Sequence, residues 1–116
     1  MDKEPVSREH EDSFQVELVQ WLQKHGLFFF SVPNEAAGKG GNMKVMGKLK
    51  AMGLRRGAPD LVVCDFQRVV FLELKAEDGK QSLGQIFVES QLKSRALEYY
   101  VVKNILQIED IFLDKV

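Results

Sequence analysis

One cysteine, two histidines and three prolines among 116 residues leave this chain short of the residues that build several common kinds of site. A lone cysteine closes no internal disulfide, and one Cys with two His assembles no Cys/His zinc cluster. Cys64 lies within an apolar run, the pattern of a buried core thiol in a reducing compartment. His10 and His25 have no partners for a histidine-based metal motif and read as surface residues. No apolar run is long enough to span a bilayer, and Met1-Asp2-Lys3-Glu4-Pro5 lacks a signal-peptide profile. The expectation is a soluble, cytoplasmic protein with no membrane partner. A P-loop is also missing, because Lys39 and Lys48 lack the glycine spacing and the following Ser or Thr.

What is present is ordinary for a globular protein: 45% hydrophobic and 28% charged residues, without repeats, low-complexity tracts or linkers. The length suits a single domain over 1–116, with one core.

A net charge of −1 does not suggest a polyanionic partner, but the distribution of charge does. Between Ala36 and Pro59 stand Lys39, Lys44, Lys48, Lys50, Arg55 and Arg56, with no Asp or Glu. Acids collect at the ends instead: Asp2, Glu4, Glu9, Glu11 and Asp12, then Glu109, Asp110 and Asp114. A local basic stretch of this kind suits a phosphate backbone; the plain alternative is a solvated lysine-rich loop. Gly38, Gly40, Gly41, Gly47, Gly53 and Gly57 fall in the same stretch. They permit close backbone approach to phosphates, and equally mark a flexible loop.

Two short segments carry the chemistry: Gly57-Ala58-Pro59-Asp60 and, thirteen positions after that aspartate, Glu73-Leu74-Lys75. Leu61 to Cys64 and Val69 to Leu74 are apolar runs separated by Asp65-Phe66-Gln67-Arg68, which reads as two strands joined by a tight connection. A hairpin centred on Phe66 and Gln67 sets Val63 opposite Val70, Leu61 opposite Leu72 and Asp60 opposite Glu73. Opposed residues share a face, with Cβ atoms about 4.5–5.5 Å apart. Two carboxylates so placed repel each other unless a cation lies between them. Lys75, two residues beyond Glu73, points the same way. An Asp, a Glu and a Lys at one strand end form a site for a hard divalent metal and an activated water. The alternative is the polar face of a half-solvated strand. Against it, Val69 and Phe71 share the Glu73 face while Val70, Leu72 and Leu74 fill the other, the pattern of a central strand covered on both sides. A carboxylate and an ammonium buried there cost several kcal/mol unless paired or metal-bound.

The remaining elements follow from periodicity. An amphipathic helix runs from about Glu11 to His25, with Phe14, Leu18, Trp21 and Leu22 on one face and Gly26 ending it. Trp21 reads as core rather than as a stacking platform. Leu27 to Val32 is a strand stopped by Pro33-Asn34, and Asn34 reads as a cap or turn. A short helix spans about Lys44 to Met52, with Val45, Leu49 and Met52 inward. Ser82-Leu83-Gly84-Gln85 is a capping box opening a helix to about Leu97. Tyr99 to Lys103 is the last core strand, and Ile108 to Leu113 a small closing helix. The order helix, strand, insertion, strand, strand, helix, strand predicts a mixed sheet flanked by helices.

Taken together, these residues resemble the PD-(D/E)xK nuclease fold, a restriction-endonuclease-like α/β core in the order α-β-β-β-α-β. The details are similar to its VRR-NUC branch, the virus-type replication-repair nucleases. The matching segments are Glu11-Asp12-Ser13-Phe14-Gln15-Val16, Val32-Pro33-Asn34, Leu49-Lys50-Ala51-Met52-Gly53-Leu54, Gly57-Ala58-Pro59-Asp60-Leu61-Val62, Phe71-Leu72-Glu73-Leu74-Lys75, Gln81-Ser82-Leu83-Gly84-Gln85 and Tyr100-Val101-Val102-Lys103. They run in order from about Glu11 to Asp110, and the short length resembles the stand-alone phage and bacterial members.

The resemblance implies roles. Asp60, Glu73 and the Leu74 carbonyl would bind Mg²⁺ or Mn²⁺ through hard oxygen ligands. Glu11 would complete that shell directly or through water, with Glu9, Asp12 and Glu17 as competitors. Lys75 would position or deprotonate the attacking water. Gln85 would orient Lys75 or the water besides capping its helix, with Gln91 as the alternative. Lys39, Lys44, Lys48, Lys50, Arg55 and Arg56 would grip the DNA backbone. The implied activity is metal-dependent, structure-selective endonucleolytic hydrolysis of branched DNA, such as a Holliday junction or flap, in replication, repair or recombination. It would take place in the cytoplasm of a bacterium or phage-infected host, without a small-molecule cofactor. Shape rather than sequence would be recognised, and two symmetric cuts suggest a homodimer. Leu27-Phe28-Phe29-Phe30 is a candidate interface segment, though core burial explains it equally well. Two rivals remain open: a catalytically silent DNA-binding accessory subunit of the same fold, or an RNA- or protein-binding surface with structural carboxylates.

Overall fold

A computed structural model describes residues 4–32 and 43–113, without side-chain detail for 4–9 and 43. Asn34 and Lys39 lie outside the described residues. The elements are α1 (Glu4–Lys24), β1 (Phe28–Ser31), α2 (Met43–Ala51), β2 (Leu61–Asp65), β3 (Arg68–Leu74), α3 (Leu83–Ser94), β4 (Glu98–Val102) and α4 (Ile105–Phe112). Among the described residues the fold is mixed α/β: one four-stranded sheet in the order β1-β2-β3-β4, with four helices. Among the described residues, no helix is long and apolar enough to cross a membrane.

Strands β1, β2 and β3 pair antiparallel, and β3 pairs parallel with β4. The parallel step follows from α3, since a crossover helix returns the chain to the starting edge. The hairpin register is the expected one, with Leu61 opposite Leu72, Val63 opposite Val70, and Phe66-Gln67 at the turn. Gln67 takes the turn at φ 54°.

Register sorts the side chains into two layers. Leu61, Val63, Val70, Leu72, Leu74 and Val102 face α1 and α4, packing with Phe14, Leu18, Leu22 and Ile108 into one core. Removing a fully buried leucine such as Leu18 or Leu22 from such a core costs about 2–5 kcal/mol. The opposite face carries Val62, Phe71, Glu73 and Tyr99 by strand alternation. α3 lies on this side, joined to it by Gln85 and Gln81.

Several boundaries differ from the sequence expectation. α1 begins at Glu4 rather than near Glu11; Pro5 sits in its first turn, where a missing N–H costs nothing. Gly26 ends it at φ 70°. α4 starts at Ile105, because Asn104 accepts the Gln107 N–H as its N-cap. Val45 in α2 and Met52 just past its end are exposed rather than inward. An apolar period shows which residues share a side, but not whether a surface is there to receive them. Cys64 is only half-buried, since it lies opposite Phe28 of the edge strand β1. Trp21 packs against the core and stacks on the exposed His25 with ring centroids 3.9 Å apart.

Candidate functional site

The chain holds Asp60 by its backbone on two sides. Its N–H donates to Leu72 O at 2.9 Å, and its carbonyl accepts the Val32 N–H at 2.9 Å. The carboxylate then turns across the end of β3, where Oδ2 accepts the Leu74 N–H at 2.8 Å. Asp60, one residue before β2, therefore caps the strand that carries Glu73, and the two acids interact through their side chains.

Glu73 is 2% exposed. Its Oε2 accepts from Gln85 Nε2 at 2.8 Å, while Oε1 is buried and has no hydrogen-bond partner among the described residues. Burial above all, and then the Asp60 carboxylate, pushes the Glu73 acid up to about 9. A proton on Glu73 turns its contact with Asp60 into a hydrogen bond; with both acids ionised, the oxygen has no donor. A buried carboxylate with an unanswered oxygen, next to a second carboxylate, fits a hard cation.

Lys75 follows β3 directly and is half-buried, its N–H donating to Val102 O at 3.0 Å. Its charge favours ionisation of both Glu73 and Glu11. Glu11 is partly buried on α1, and burial raises its acid above the ordinary range. Lys75 and the Ala76 N–H, which its carboxylate accepts, oppose that shift. Glu11 also feels the Asp60 charge, which places it beside the same strand end. Its competitors Asp12 and Glu17 are exposed, and the Glu9 side chain lies outside the described residues. Among the described residues, no three His, Cys, Asp or Glu side chains gather closely enough to hold an ion by themselves. The structure thus brings Asp60 and Glu73 together, with Glu11 as a charged neighbour.

Gln85 combines the two roles considered for it. Ser82 Oγ accepts the Gln85 N–H at 3.2 Å, and Gln85 Oε1 accepts the Ser82 N–H at 2.8 Å, closing the capping box. The same side chain reaches Glu73 through Nε2. Gln91, the alternative, is exposed.

Sequence reasoning missed two residues. Gly57 has φ +87°, and a Cβ there would come 2.7 Å from Gln85 N and closer still to the Gly84 carbonyl. Only a glycine lets the segment leading to Asp60 press onto the start of α3. Its place before Ala58-Pro59-Asp60 marks the segment, but nothing local shows that this glycine must meet α3. Tyr99 shares the Glu73 face, and its hydroxyl accepts from Gln81 Nε2 at 3.2 Å. Burial, then the Glu73 charge, raises its phenol above the ordinary range. The alternation of Tyr99 and Tyr100 in β4 was the available signal.

The expected basic residues Lys44, Lys48, Lys50, Arg55 and Arg56 are all exposed. No protein-family model, curated protein or solved structure matches this chain, and the reading of its site rests on its own residues.

Proposed function

We propose that this chain is a metal-dependent phosphodiester hydrolase acting on branched DNA, a PD-(D/E)xK nuclease of the VRR-NUC type. The observation that carries the reading is Glu73: an acid buried to 2% exposure, beside Asp60, with one oxygen unanswered. Without metal the two acids are satisfied only while a proton stays between them, and a hard cation would take the place of that proton. Asp60, Glu73 and the Leu74 carbonyl would hold Mg²⁺ or Mn²⁺, with Glu11 joining through water. Bound there, the ion supplies Lewis acidity and a more acidic water.

The chain's own residues do the rest. Gln85 fixes the Glu73 carboxylate, and the Leu74 N–H fixes that of Asp60. Lys75 brings a cation to the same strand end, where it orients the attacking water and offsets charge developing on the phosphate. Arg55, Arg56 and the lysines of α2 give exposed positive charge on the segment entering the site. Phe28 and Phe30 are exposed on the edge strand β1, which supports pairing of two copies for symmetric cuts; light scattering checks that pairing.

The test is cleavage of linear duplex, single strand, flap and four-way junction, each with Mg²⁺, Mn²⁺ or EDTA, beside Lys75→Ala. Metal-dependent cutting of a branched form, lost in the variant, is the expected result. A second reading, the silent DNA-binding subunit, is favoured by the missing three-acid cluster among the described residues. It predicts junction binding without cleavage in any metal.

A further inference from the structure

Around Gln85, the first half of α3 turns an apolar side to solvent. Leu83 is 86% exposed and Phe87 51%, whereas Gln85 and Val88 are buried. These residues belong to the end of α3 that reaches Glu73, so the exposed patch borders the candidate site. The Arg55 guanidinium lies over the Phe87 ring, with Cζ 5.8 Å from its centroid. Arg55, Phe87, Val88, Gln91, Leu92 and Arg95 line a groove of about 310 Å³. Among the described residues, two arginines and no acid line it. Arg55 enters from the loop that leads to Asp60, and Arg95 closes the far end of α3, its Nη1 held by Gln91 Oε1 at 2.9 Å.

A half-exposed aromatic ring with a guanidinium on one side, and positive charge at both ends of the groove, complements a planar group attached to a phosphate. A base inside a duplex shows only its edges, because its faces are stacked on its neighbours. An unpaired base has a face to offer, and stacking on an aromatic ring accepts any of the four bases. We infer that Phe87 is a stacking platform for an unpaired nucleotide of the substrate strand, with Arg55 and Arg95 on the flanking phosphates. The inference rests on the nucleic-acid reading above and deepens it: among branched forms it selects a flap or other single-stranded arm, whose bases are unpaired, over a fully paired four-way junction.

The test is fluorescence anisotropy in EDTA with two labelled DNAs, a fully paired duplex and the same duplex bearing a single-stranded branch. Wild type, Phe87→Ala and Phe87→Trp are compared, with thermal melts to show that each is folded. Phe87→Ala is expected to weaken binding to the branched DNA by about fivefold or more and to leave duplex binding unchanged. Phe87→Trp is expected to restore the affinity, its added fluorescence being quenched by the branched DNA alone. Equal affinities of wild type and Phe87→Ala for the branched form overturn the inference while leaving the nuclease reading intact. A Phe87→Ala variant that changes mass in sedimentation, not DNA affinity, makes the patch a subunit contact and also overturns it. Wild type that binds neither DNA, and cuts nothing with metal, removes both readings together.

Discussion

Gln85 bonds Glu73 and Ser82 with opposite ends of one amide: Nε2 donates to Glu73 Oε2, and Oε1 accepts the Ser82 N–H, each at 2.8 Å. The capping box therefore dictates which end of the amide the acid meets. Helix start and acid placement are a single arrangement, and a change in one reaches the other.

Gln85→Glu separates them. The substituted carboxylate still accepts from Ser82 but has nothing to donate to Glu73. We expect a loss of about 1–3 kcal/mol at pH 8, measured by urea denaturation without metal. At pH 5 the loss should shrink, because the introduced acid takes up a proton of its own there and donates to Glu73 in place of the amide. A loss that is the same at both pH values would mean that the Glu73 contact contributes little.

Glu73 itself sets a pH dependence. Its folded acid is raised from an ordinary 4.5 to about 9, chiefly by burial. The folded protein thus keeps a proton that the unfolded chain releases. This contribution to stability is fully present below about 4.5 and is lost as pH rises through about 9. Glu73→Gln should flatten that slope, making the metal-free protein more stable than wild type at pH 8 while abolishing cleavage. Denaturation curves across this range, with and without Mg²⁺, check it. A wild type whose stability is independent of pH across the window would contradict the buried neutral acid.

Much of this site was legible in the sequence, for physical reasons. The two-residue turn at Phe66-Gln67 fixes the hairpin register, and that register brings Asp60, one residue before β2, to the end of β3 beside Glu73. The capping box needs only Ser82 and Gln85 three residues apart, so a local pattern sufficed. Glu11 lies seven residues before Leu18, on the stripe that faces the core, whereas Glu17 is off it and exposed. The outward placement of Val45 and Met52 was not legible, because it depends on what lies opposite α2. Nor was the role of Gly57, whose neighbour in space, Gly84, is 27 positions away along the chain.

Gly57 and Gly84 make a controlled pair. Gly57→Ala must hold φ +87° and drive its Cβ into the Gly84–Gln85 backbone. It should cost at least about 2 kcal/mol, since left-handed backbone alone costs about 1–2, and should displace Gln85 from Glu73. Gly84→Ala meets Arg56 O at 3.5 Å, an ordinary contact, inside a helix that favours alanine over glycine. It should be neutral or slightly stabilising. Melting temperatures of the two variants test the pair, and equal tolerance would show that the close approach is not required.

At the other end of β3, Arg68 Nε and Nη2 donate to Glu98 at 2.6 and 2.8 Å, and the Tyr100 hydroxyl donates to the same acid at 2.8 Å. Arg68 holds the Glu98 acid below its ordinary range. The stability this pair gives is present above about 4.5 and is lost as pH falls through the lowered value. Both side chains are about one-third exposed, so solvent screens the pair and Arg68→Ala should cost no more than about 1 kcal/mol. Cleavage should be unchanged, which makes this variant a control for global effects in the nuclease assay.

Asp60 decides between chemistry and architecture. Its Oδ2 accepts the Leu74 N–H, a structural task that an asparagine oxygen performs as well. Asp60→Asn therefore keeps that bond, removes the charge that pushes Glu73 up, and should leave stability equal or raised. Asp60→Ala strips the Leu74 N–H of its acceptor and should cost about 1–3 kcal/mol. If the pair of acids holds the metal, both variants lose cleavage although only one loses stability. If Asp60 merely caps the strand, Asp60→Asn behaves as wild type in cleavage and in melting. The two variants measured side by side thus separate a carboxylate kept for its charge from one kept for its shape.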